Sequence, residues 1–366
     1  ACYETTTKFR VHEMLSLLAD LASSAPAADI GLMFHSAPVE VLDELELKPE
    51  GGTLPQWLAG RFLQNSASQY EQGSRDLDHT FDGYGKVLSW RFDAGRCFFR
   101  ARFLQSNYRV KSLKEGDVCP SRLFGNTTPA QGARQSQALY DGCSDNCNVN
   151  IFEVAGKPMA TTDSEVRLSL ADDLSSAPWK WADSWGTAMD KIAAAHPRRA
   201  AAAGAGAAAV LSPNASINYV MRINPAAVAG LGNHTAIVYA VDEAGQPAGS
   251  RRELARILAH RLSYAHSLLA TPRYAVLPMA PLYWRMTKLM AADSILDSMD
   301  WVPDEPALIH VVDLRGGQPV RTFETPAWFG FHHINAYETE GGDVVFDTLA
   351  SNMSTGKPPV APMTLL

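Results

Sequence analysis

The 366-residue chain has no basic run longer than pairs such as Arg198-Arg199 and Arg251-Arg252, and its formal net charge is -7. A protein that tracks a phosphate backbone needs a basic stripe or patch, so nucleic acid is excluded as a partner. No uninterrupted apolar stretch reaches the roughly 18 residues that a membrane-spanning helix requires. Cysteine is scarce, with five in all. An odd number in a chain of this size is not a disulfide framework and points to a reducing compartment. Cys143 and Cys147 in "DGCSDNCNVN" are the only close pair. No second Cys or His pair at matching spacing completes a zinc knuckle, so they read as structural thiols. The chain opens on Ala1 without the charged segment and apolar core of a secretory signal, which reads as a mature or partial chain.

What is present is a composition 46% hydrophobic, enough for a large core. Residues 1–49 read as a helical or irregular lead rich in Pro and Ala. Within it "KFRVHEMLSLLADLA", Lys8 to Ala22, is apolar at helical spacing and reads as a helix packed on its own domain. From 50 to 366 the sequence settles into short β-branched and aromatic runs broken by glycine turns. "VLSWRF" and "CFFRARF" flank "DAGR", "NVNIFEV" and "PMATT" flank "AGK", "IHVVDL" and "VRTFE" flank "RGGQP", and "INAYE" and "DVVFD" flank "TEGG". Each turn supplies a glycine able to take positive φ, as short hairpin loops demand. Repeated hairpins without intervening helix patterns predict an antiparallel meander, and their number favours a propeller. An Ala/Gly-rich tract near 198–213 has no pattern with which to bury a face and reads as a surface insertion.

Of ten histidines, two stand together inside the apolar run "WFGFHHINAYE" as His332 and His333. Neighbouring side chains in a strand face opposite ways, so only one of the two serves a given site. His196 in "AAAHPRR" and His266 in "YAHSLLATPRY" complete a series spaced by 70 and then 66 positions. That interval suits one four-stranded blade of about 40 to 50 residues plus connections, so these histidines can converge on a propeller axis.

Five motifs in order, "GTLPQWLAGRFLQN", "DHTFDGYGKVLSWRF", "AHP", "AHSLLATPRYAVLPMAPL" and "FHHINAYE", resemble the carotenoid cleavage dioxygenase (carotenoid oxygenase) family over roughly residues 50 to 350. "FDGYG", "LPMAPLYW" and "MDWVPDEPALIHVVDL" look most like the plastid carlactone synthase-type enzymes that cleave apocarotenoids. The resemblance implies an all-β fold, a seven-bladed β-propeller of the carotenoid oxygenase type with helical cap segments, left incomplete in this chain because the C-terminal blades are missing. It implies Fe(II) held by four histidines, of which His196, His266 and His332 match three. No histidine follows His333 to supply the fourth. The implied reaction cleaves a conjugated C=C bond of a carotenoid or apocarotenoid with O2 to give two carbonyl products. A plastid location, a role in strigolactone biosynthesis and peripheral membrane contact follow from the same likeness.

The chain also departs from the family. "QNSASQ" stands where Asn-Gly-Pro-Gly is usual, and Met279 stands near an expected glutamate. Asp163 in "MATTDSE" takes the place of a glutamate that orients a ligand imidazole, with Glu165 the neighbouring alternative and a bridging water expected for the shorter side chain. His333 is expected to face the neighbouring sheet with Asn335 and Tyr337. His79, His234 and His310 read as structural, and Asp82-Gly83 as a turn in which Gly83 supplies backbone freedom. Trp328, Phe329, Phe331, Tyr283 and Trp284 fit either a polyene tunnel or core packing. Two functions remain open: the iron dioxygenase, and a non-catalytic apocarotenoid-binding or scaffold propeller.

Overall fold

Short hairpins with glycine turns set the architecture. In the computed structural model the described residues are 34–121, 123–132, 143–200, 211–212, 215–241, 249–290, 294–351 and 353. Two units are distinguished, Ala1–His35 and Ser36–Leu366, and the second contains every strand described below. The Lys8 to Ala22 helix and most of the Ala/Gly tract lie outside the described residues.

The turn between Gly85–Asp93 and Arg96–Phe103 places Ala94 at φ 47° and Gly95 at φ 76°. Ala155 and Gly156 do the same at φ 49° and 73° between Asn150–Val154 and Lys157–Thr161. Two successive positive φ values match the right-handed twist of the flanking strands, so both hairpins close tightly. Ala307–Asp313 with Arg321–Thr325, and His333–Glu338 with Val344–Thr348, complete the four hairpins read from the sequence.

The strands assemble into antiparallel sheets. Sheet 1 orders Val41–Leu47, Arg96–Phe103, Gly85–Asp93 and Gly60–Ala67. Sheet 2 orders Ser176–Pro178, Arg167–Leu170, Lys157–Thr161 and Asn150–Val154. Sheet 3 orders Asp190–Ala193, Ser216–Arg222, His234–Val241 and Arg251–Ala259, with Arg198–Arg199 also paired to Ser216–Arg222. Sheet 4 orders Leu269–Ala270, Tyr274–Met279, Ala307–Asp313 and Arg321–Thr325.

Two expected boundaries move. Val41–Leu47 pairs with Arg96–Phe103, so sheet 1 begins inside the stretch assigned to a lead over 1–49. Arg198 and Arg199 form a strand pairing with Ile217 and Ser216, so the Ala/Gly insertion does not start at 198.

Alternation within strands shows how the sheets stack. Tyr219 and Met221 pack with Leu277 and Met279 of sheet 4, while Val220 between them packs with Val154 and Met159 of sheet 2. Val276 turns the other way, toward Ala336, Val344 and Phe346 of the last hairpin. Val87 and Leu63 of sheet 1 meet Ala160 and Leu168 of sheet 2. Both faces of sheet 3 are covered, which is why residues 216–221 and 236–241 are buried throughout and "AIVYAV" is a continuous apolar run. Each such side chain, moved fully from water, contributes about 1.5–3 kcal/mol. Sheets stacked face to face in chain order are the blades of a propeller.

Two of the five cysteines correct the sequence reading. Cys119 and Cys143 form a disulfide, their Cα atoms 6.5 Å apart, within the range such bonds span. Cys97 and Cys147 are free and buried. The partner of Cys143 lies 24 positions away, where spacing carries no signal.

Candidate metal centre

Each histidine of the 70 and 66 series stands where the leading strand of a sheet begins or breaks. Asp190–Ala193 and Arg198–Arg199 pair with the same neighbour, and His196 lies in the break between them. Pro197 has no N–H to continue the ladder there. His266 precedes the short leading strand Leu269–Ala270 of sheet 4. The Ala195 N–H donates to His266 O at 3.1 Å, and His196 forms a parallel bridge with Ser267, so the two leading segments run side by side. His332 stands directly before His333–Glu338.

The three rings converge. His196 Nε2 and His266 Nε2 are 3.0 Å apart. The nitrogens of His196, His266 and His332 able to serve as ligands all lie within 4.8 Å of one another. Ring centroids are separated by 4.8, 5.0 and 5.1 Å. His266 is buried, His196 half-buried and His332 exposed. Burial, with the other two rings adding to it, pushes His196 down to about 3, and burial also lowers His332, so both are neutral at physiological pH.

Asp163 lies behind His266. Its Oδ1 is 2.8 Å from His266 Nδ1, and Tyr264 donates its hydroxyl to Oδ2 at 2.8 Å. With its Nδ1–H donated to the carboxylate, His266 presents the Nε2 lone pair to the other rings. The contact is direct, so the shorter side chain needs no bridging water. Glu165 points elsewhere and pairs with Arg251.

His333 turns away from the cluster, but not with the residues expected. It is 6% exposed, and its Nδ1 lies 2.8 Å from Thr348 Oγ1. Asn335 and Tyr337 are exposed. A register shift between His333 and Asn335 breaks the alternation, so Ala336 and not Tyr337 packs on sheet 4.

The other singled-out histidines have local partners. His79 Nδ1 accepts from Phe81 N, His234 Nδ1 from Asn224 N, and His310 Nδ1 sits 2.9 Å from Thr322 Oγ1. The Asp82 carboxylate accepts the Phe124 and Gly125 N–H groups at 2.8 and 2.9 Å. Gly83 is required for space, not for backbone freedom: its φ is not positive, and a Cβ there would stand 2.6 Å from Tyr70 Cε1. Phe329 is core, 1% exposed, with Tyr264 and Leu282 around it. Phe331 lies against His266, ring centroids 5.3 Å apart.

The donor set fits a metal. Three imidazoles with a carboxylate behind one of them suit a divalent first-row cation. An ion bonded to imidazole nitrogen at about 2.0–2.1 Å, the zinc value, can join two nitrogens 3.0 Å apart.

Comparison with known proteins places this geometry. The family model for RPE65, retinal pigment epithelial membrane protein, matches residues 34–363. The chain belongs to the RPE65 family. Among RPE65-family relatives it is 27% identical over 308 residues to the chloroplastic carotenoid cleavage dioxygenase 8 of Arabidopsis thaliana, covering 79% of this chain and 50% of that protein. It is 27% identical over 320 residues to the human β,β-carotene 15,15'-dioxygenase, covering 82% and 56%. The cobalt-substituted Synechocystis ACO structure superposes with TM-score 0.69 at 22% identity over 87% of this chain and 63% of that one. An ACO/RPE65 chimera gives 0.68 at 22%, covering 89% and 67%. The fold is therefore the carotenoid oxygenase β-propeller, and the chain spans about half the length of the curated relatives it matches.

Proposed function

We propose that this chain is part of an iron(II)-dependent dioxygenase that cleaves a conjugated C=C bond of a carotenoid or apocarotenoid. The observation that carries this reading is the convergence of His196, His266 and His332, with the Nδ1 of His266 held by Asp163. Neutral imidazoles leave the charge of a divalent ion uncompensated, and three protein ligands leave coordination positions free. Bound iron would supply one-electron chemistry with O2. The overall change is balanced: one C=C bond and one O–O bond break, two C=O bonds form, and no further reductant is required.

The chain's own residues have definable tasks. Asp163 keeps the proton on His266 Nδ1, fixing which nitrogen faces the site. Phe331 and Tyr264 wall the buried side of the rings with apolar surface. Likeness to a chloroplastic relative supports a plastid location, and the carlactone-type apocarotenoid step rests on the motifs that resemble that group.

The test replaces His332 and His333 separately in the whole chain. His332→Ala is expected to abolish stoichiometric iron or cobalt binding, while His333→Ala retains it. Equal loss in both removes the assignment. With iron in place, oxygen-dependent loss of polyene absorbance selects the dioxygenase. Tight polyene binding without turnover, indifferent to chelation, selects the non-catalytic carrier.

A further inference from the structure

His266 and His332 are fixed by different means. The His266 ring is gripped by a carboxylate, whereas among the described residues no hydrogen bond holds the ring of His332, which is also the exposed member of the three. What is held instead is the backbone around it. Ser267 Oγ donates to Phe331 O at 2.7 Å, and Arg198 Nη2 donates to His333 O at 2.8 Å. His332 O itself accepts the Leu349 N–H at 3.2 Å. Three consecutive carbonyls are thus held from three directions.

The origin of the two side-chain donors matters. Ser267, 1% exposed, follows His266 directly in the chain. Arg198 stands two positions after His196, and its Nε also donates to Leu268 O at 2.8 Å. Each of the segments carrying the other two histidines therefore places one grip on the carbonyls flanking the third.

We propose that Ser267 and Arg198 are positioning residues that set His332 in the ligand triangle through the backbone carbonyls of the residues before and after it, Phe331 and His333. This rests on the metal-centre reading above. A histidine in a loop before a strand samples many orientations, and holding the peptide that enters it and the carbonyl of the residue after it reduces what must be ordered when an ion binds. Partners one step removed from the ligands typically set metal affinity by 10–100-fold.

The experiment is a Co(II) titration of the whole chain followed by visible absorption, with melting temperature measured alongside. Ser267→Ala and Arg198→Lys are expected to weaken Co(II) binding about 10–100-fold and alter the d–d bands toward a site short of one imidazole. Ser112→Ala is the control, because Ser112 Oγ makes a buried bond of the same kind to Tyr108 O at 2.6 Å, within the helix Asn107–Glu115 and to none of the three histidine segments. It is expected to lower the melting temperature comparably while keeping the affinity and spectrum of the unsubstituted chain. Unsubstituted affinity and spectrum in both Ser267→Ala and Arg198→Lys overturn the proposal, as does an equal spectral change in the control. Should Ser267→Ala not fold, Arg198→Lys decides alone, since it keeps the charge and shortens the reach. Absence of Co(II) binding by the unsubstituted chain overturns the metal-centre reading itself, a result distinct from any confined to the variants.

Discussion

Two buried polar clusters grow from the same short stretch after Lys157–Thr161, and they are built on opposite plans. Asp163 turns to His266, and Glu165, two positions on, turns to Arg251. Around Arg251 every charge has its counterpart. Its guanidinium meets Glu165 and Asp183, the latter at 2.9 Å, and lies 4.0 Å from the Trp185 ring centroid and 4.8 Å from that of Trp181. Around His266 three rings aim nitrogens at one another with one carboxylate behind them. A cluster whose cation is paired on two sides within the protein is architecture, joining sheet 3 to the tryptophan-rich loop before it. One whose ring nitrogens converge fits the metal centre proposed above.

The largest expected effect breaks the closed cluster. Arg251→Met removes the cation that pairs with both Glu165 and Asp183, leaving Asp183 without its bonded partner and Glu165 with only the nearby Arg167, and should cost about 3–5 kcal/mol of stability. Denaturant unfolding measures it, while Co(II) affinity of the folded fraction should stay within threefold of the unsubstituted chain. A large fall in affinity would show that the two clusters are not independent.

A smaller effect is expected from the open cluster. Asp163→Asn keeps a hydrogen-bond acceptor for His266 Nδ1 but removes the negative charge that raises the basicity of the ring. Co(II) affinity should fall about 10–100-fold with little change in unfolding midpoint. Loss of stability without loss of affinity would move Asp163 into the architectural class.

The contrast between the clusters also separates what was legible in the sequence from what was not. The four hairpins were legible because Gly95, Gly156, Gly316 and Gly342 mark their turns locally. The three histidines were legible because residue type, spacing and surrounding motif agree. The Cys119–Cys143 pairing and the Arg251 cluster depend on residues brought together by the fold across 24 and up to 86 positions, with no periodicity to announce them. The facing of Asn335 was misread because a register shift adds a residue to one strand, which period-two reasoning cannot foresee. Ser267 and Arg198 act on backbone carbonyls, and any common donor at those positions would look the same in a sequence.

The smallest effects lie within the Arg251 cluster, where its two carboxylates should respond with opposite sign. Burial raises Glu165 despite the nearby Arg167 and Arg251, whereas for Asp183 the hydrogen bonds from Arg251 outweigh burial and lower it. A carboxylate raised in the fold contributes stability below its unfolded value and loses it as pH rises through the folded value, so at pH 7 Glu165 is a net cost. One depressed in the fold contributes above its unfolded value and loses that as pH falls through the folded value, so at pH 7 Asp183 is a net gain. Asp183→Asn should therefore destabilise at pH 7 by about 1 kcal/mol, and Glu165→Gln should stabilise by no more than ~1 kcal/mol. Both differences should fade on acidification, that of Glu165→Gln as pH falls through its raised folded value and completely by about pH 4.5, and that of Asp183→Asn only below about 3.8. Paired urea titrations at pH 7 and at the lowest pH where the fold persists measure this. Equal losses in the two variants at pH 7 would mean that Arg251 holds both carboxylates alike and that burial does not govern Glu165.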